Sequence, residues 1–302
     1  MTMHRRRISR HRWRYSGAIA ALFALGAAPA PRLVERAVVP SAADPAVRQF
    51  DAPSIAVATA GLPAAAPLVV FLPGTGGRPE NTRGLLRVIA GQGYRALGLE
   101  YDDDPAVVQV CPRDPDPACS AKFRATRIDG SGAGGPVSNP PAEAIVPRLV
   151  AALRALDRAA PGEGWGGYLD GDQPRWDRIV VSGLSQGAGM AAFIAKQHPV
   201  RRVVLFSSPW DFTLPGRRLA PWIGGPSATP PDRWWAEYSR REDTADLLAL
   251  SYRALNIPAD HVLVFGRELP AGMAERGWNP YHGVTVRDAG YAAQWRQLYG
   301  TP

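Results

Sequence analysis

The sequence predicts an α/β protein built on a mostly parallel sheet with helices on both faces. Three features point there. Short β-branched and apolar runs, such as 68–72 (LVVFL), 179–181 (IVV) and 202–206 (RVVLF), have the length and makeup of strands buried on both faces. Amphipathic stretches with helical spacing lie between them. Glycine-rich turns follow two of the runs, at 74–77 and 183–187.

The chain has 302 residues, enough for one large domain with a well-buried core. Its formal charge of +8 suggests a polyanion partner until the charges are located. Arg5, Arg6, Arg7, Arg10, Arg12 and Arg14 carry six of them, and residues 1–30 hold no acid, so the remainder stands at +2. A nearly neutral remainder argues against nucleic-acid binding. The basic start runs into 16–28 (SGAIAALFALGAA), apolar but short for a bilayer span and followed by small residues. That pattern predicts an export signal at 1–30, with cleavage as late as residue 43, and no stable membrane span afterwards. Cys111 and Cys119 flank a loop of turn formers, and an oxidising compartment would join them in a disulfide.

Taken in order, 31–48 reads as a linker and 50–59 as an early strand. Strand 68–72 leads into Pro73-Gly74-Thr75-Gly76-Gly77, whose N–H groups can turn into the crevice above the sheet. Asn81 is placed to cap a helix reaching Gln92, and 94–99 is the next strand. The three aspartates 102–104 read as a solvated loop. A helix spans 142–159, with Ile145, Leu149, Leu153 and Leu156 along one side. Trp165, Tyr168 and Trp176 fall in an insertion at 162–176 and suit local packing. Residues 212–233 hold five prolines and form a Pro/Trp-rich, cap-like insertion. Strand 235–239, helix 244–255, strand 261–265 and a closing helix at 289–298 complete the chain.

The chemistry centres on 178–209. A strand enters the turn Gly183-Leu184-Ser185-Gln186-Gly187, and a helix bearing Met190, Phe193 and Ile194 leaves it. Small residues on both sides permit a strained strand-to-helix corner that lifts the serine Oγ clear of the sheet. The helix N-terminus beside it favours negative charge. Of five histidines, His4 and His11 lie in the signal, His198 ends the nucleophile helix and His261 opens a strand at the far end. His282, in a loop after the last strand, is the remaining candidate base.

These motifs, spread over about residues 68–282, resemble the α/β-hydrolase superfamily, and within it secreted bacterial serine esterases and lipases. The histidine that many members carry before the nucleophile is Leu184 here. The resemblance implies a catalytic triad of Ser185, Asp243 and His282, with Asp211 and Glu242 as alternative acids. It implies an oxyanion hole from the backbone N–H groups of Thr75, with Gly74 as alternative, and Gln186. It implies no metal or organic cofactor, and a small-molecule, lipid or polymer ester as substrate, with 212–233 shaping an apolar acyl pocket. An acyltransferase serving the cell envelope through the same acyl-enzyme, or an inactive binding module, are the alternative readings.

Overall fold

The computed structural model describes residues 32–132, 134–214, 217–269 and 279–302. The export-signal expectation falls on residues 1–31, outside the described residues. The central sheet has eight strands: β1 (Leu33–Val38), β2 (Ser54–Thr59), β3 (Leu68–Leu72), β4 (Arg95–Gly98), β5 (Ile179–Leu184), β6 (Arg202–Phe206), β7 (Trp234–Ser239) and β8 (Val262–Phe265). In space they run β1-β2-β4-β3-β5-β6-β7-β8. Only β2 is reversed, pairing antiparallel with β1 and with β4, while the remaining pairs are parallel. This order and this single reversal are those of the α/β-hydrolase fold.

The strand alternation feeds two cores. Leu68, Val70 and Leu72 of β3 join Ile179 and Val181 of β5 on one face. There they meet α2 (Cys119–Asp129), α3 (Ile145–Ala159), α4 (Gln186–Gln197) and α5 (Ala245–Ala254). Val69, Phe71 and Val180 point the other way, toward α1 (Arg83–Gly91) and α6 (Ala292–Tyr299). Successive residues of a strand point to opposite faces, so each run can be apolar throughout.

Several expectations shift at the edges. Residues 33–38 pair with β2 along their whole length rather than forming a linker. A short 3-10 helix, Pro79–Thr82, precedes α1, so Asn81 is not its cap. Trp165 and Tyr168 are buried against Arg95, whose Nη1 donates to the Tyr168 hydroxyl at 2.9 Å, so they pack locally as expected. The Cys111–Cys119 disulfide is present, with Cα atoms 5.6 Å apart. Among the described residues, no helix is long and apolar enough to cross a membrane.

Candidate active site

Ser185 sits between the end of β5 and the start of α4 at φ 54°, ψ −122°, a conformation that costs an L-residue energy. The neighbouring turn must be glycine at two points. A Cβ on Gly183 would lie 2.6 Å from the Leu72 carbonyl oxygen, and one on Gly187 would lie 2.0 Å from it. Both clashes are with backbone, which cannot swing aside. Gly187→Ala is therefore expected to destabilise the fold by about 1–3 kcal/mol or more. A thermal melt should show a Tm lower by several degrees.

The loop after β3 closes on the serine. Gly74 lies so near that a Cβ there would come within 3.0 Å of the Ser185 Cβ. Thr75 is exposed and lines the same cleft, of about 600 Å³, as Ser185 and His282. Gln186 is the first residue of α4, where backbone N–H groups have no preceding carbonyl of the helix to bond. The loop after β3 and the start of α4 thus flank Ser185 from two sides.

The carboxylate that meets His282 is Glu242, where Asp243 was expected. His282 Nδ1 and Glu242 Oε2 are 2.7 Å apart. The Glu242 side chain is fully buried, and its Oε1 accepts from the Ser207 hydroxyl at 2.5 Å and the Ser239 N–H at 3.0 Å. Asp243 is exposed, and its N–H donates to the Asn279 side chain at 3.4 Å. Asn279 in turn opens the histidine loop, its carbonyl accepting from the His282 N–H at 3.0 Å. Asp211, the other alternative, is committed elsewhere: it forms a buried bidentate pair with Arg124, at 2.8 and 2.6 Å.

A tight turn explains why residue 242 faces inward. The Glu242 N–H donates to the Ser239 carbonyl, and the Ser239 hydroxyl accepts from the Arg241 N–H. Glu242 Oε1 reaches back to the Ser239 N–H, so the turn is closed by bonds in both directions. The Ser-x-x-Glu spacing at 239–242 was the signal in the sequence that could have selected Glu242. A second buried carboxyl, Glu237, lies near it; burial and then the Glu242 charge push its pKa well above the carboxylate range.

The other described histidines are occupied. His198 stacks on Trp176, and His261 stacks on Trp235 with its Nδ1 3.0 Å from the Trp234 carbonyl. None of the described residues of the 212–233 insertion lines the cleft. It packs instead over the end of α4, where Ala228 and Thr229 donate to the carbonyls of Lys196 and Ala195 and Trp222 meets Phe193 edge-on. The described cleft wall is mixed, with Leu184, Pro280 and Val284 beside Arg287 and Asp288.

No protein-family model matches the chain, and no curated protein matches it. Solved structures are similar in chain course. A candidate dienelactone hydrolase from Klebsiella pneumoniae is 16% identical, covering 89% of this chain and 98% of that one, with a TM-score of 0.46. Esterase B from Lactobacillus rhamnosis is 14% identical over 88% and 86% of the two chains, at 0.48. A thermostable esterase from Pseudomonas putida is 16% identical over 90% and 82%, at 0.43.

Proposed function

We propose that the protein is an exported serine hydrolase that cleaves carboxylic esters through an acyl-enzyme. The observation that carries this is the buried Glu242 carboxylate 2.7 Å from His282 Nδ1, with His282 and the strained Ser185 opening onto one cleft. Nδ1–H donating to Glu242 leaves Nε2 as the free acceptor on the ring. In this reading Nε2 takes the Ser185 proton as Oγ attacks the acyl carbonyl. Glu242 then stabilises the imidazolium. The N–H groups of Thr75 and Gln186 receive the oxyanion. His282 protonates the leaving alcohol, and water repeats the sequence to release the acid. Export is supported by the N-terminal charge and apolar pattern and by the Cys111–Cys119 bridge.

The test is hydrolysis of p-nitrophenyl acetate and butyrate by the purified full chain. Saturable turnover well above the buffer rate is expected. The absence of turnover on these and on longer acyl esters would contradict the proposal.

A further inference from the structure

The two flanks of Ser185 are joined by a third segment, residues 101–107, which the ester-cleaving reaction does not itself require. The Tyr101 hydroxyl donates to the Pro73 carbonyl at 2.9 Å, at the root of the loop after β3. The Asp103 side chain is buried, at 4% exposure, and the nearby N–H groups of Gly76 and Gly77 favour its charged form. On the other flank, the Gln186 side chain turns away from the cleft and into the same segment. Its Nε2 donates to the Asp103 carbonyl at 2.7 Å and the Pro105 carbonyl at 3.0 Å, and its Oε1 accepts from the Val107 N–H at 2.7 Å. The segment is itself held from behind: Arg127 of α2 pairs with Asp102 and donates to the Asp104 carbonyl at 2.7 Å.

We propose that residues 101–107 are a brace that fixes the spacing of the two oxyanion donors, with Asp103 and the Gln186 side chain as its positioning residues. The inference rests on the oxyanion reading of Thr75 and Gln186 given above. Those donors sit on loops that follow different strands, and an oxyanion hole works only while both N–H groups stay near hydrogen-bonding distance of one oxygen. A single segment bonded to both loops removes their independent motion. Neither Asp103 nor the Gln186 side chain touches the reacting atoms, so each acts through the backbone it holds.

The Asp103 carboxyl is buried. Burial raises its pKa to about 6, while the two glycine N–H groups favour the charged form. The acids around it are Glu100, Tyr101 and Asp104 on its own segment. The nearby cations bear on its neighbours: Arg127 on Asp102 and Tyr101, and Arg78 on Glu100.

The test combines kinetics with amide hydrogen exchange on the full chain and its Asp103→Asn and Gln186→Ala variants. For p-nitrophenyl butyrate, kcat should fall about 10- to 100-fold in each, with KM within about twofold, because ground-state binding needs no aligned oxyanion donors. Exchange at residues 74–77, corrected for intrinsic rates, should quicken in both variants at pH 8. Unchanged exchange in both variants, or losses expressed as higher KM at constant kcat, would overturn the brace. Exchange is read without turnover, so a wild type inactive on esters would count against the hydrolase reading and leave the brace decided by exchange. If Asp103→Asn does not fold, Gln186→Ala still decides it.

Discussion

Glu242→Gln is expected to lower kcat/KM for a p-nitrophenyl ester by about 10⁴-fold. Asp243→Asn should change it by no more than about twofold, the range of an exposed substitution. The difference follows from what surrounds the two side chains. Oε1 of Glu242 faces two donors, Ser207 Oγ and Ser239 N–H, so an amide there would turn its oxygen toward them. Its NH₂ group would then face His282 Nδ1 and force that nitrogen to accept. The ring proton would move to Nε2, the atom that must receive the serine proton. The fold should tolerate the change, and circular dichroism should match the wild type. Equal losses in the two variants, or a larger loss at Asp243, would mean that the histidine is served by a different acid.

Ser185→Ala should remove activity more completely, by about 10⁶-fold in kcat, since no other group could form the acyl-enzyme. KM, where measurable, should move little. Alanine at this position keeps the strained backbone and the N–H donors, so the variant should still bind ester substrates and products. Residual activity within tenfold of the wild type would place the nucleophile elsewhere.

Much of this architecture could be read from the sequence, because strands buried on both faces are written as short continuous apolar runs. Val69 and Val70 serve opposite cores, yet both must be apolar. Ser185 was legible because the steric demand on its turn is absolute: only glycine fits at 183 and 187. His282 followed from its place after the last strand. The carboxylate that meets His282 did not follow, because residues 242 and 243 differ only in which way a turn faces them, and that direction is set by the Ser239 hydrogen bonds. The run of aspartates at 102–104 read as one solvated loop, yet Asp102 pairs with Arg127 and Asp103 is buried beneath the glycine loop. The course of residues 212–233 was not legible for a related reason. Proline and tryptophan mark an ordered excursion, but its destination depends on Phe193 and the end of α4, partners far from it in sequence.

The most direct test of the central claim is covalent labelling of the folded wild-type chain with a fluorophosphonate probe, followed by peptide mapping. A single adduct on Ser185 is expected, formed much more slowly in Glu242→Gln and absent from Ser185→Ala. An adduct on any other residue, or undiminished ester turnover by a chain whose Ser185 never reacts, would contradict it.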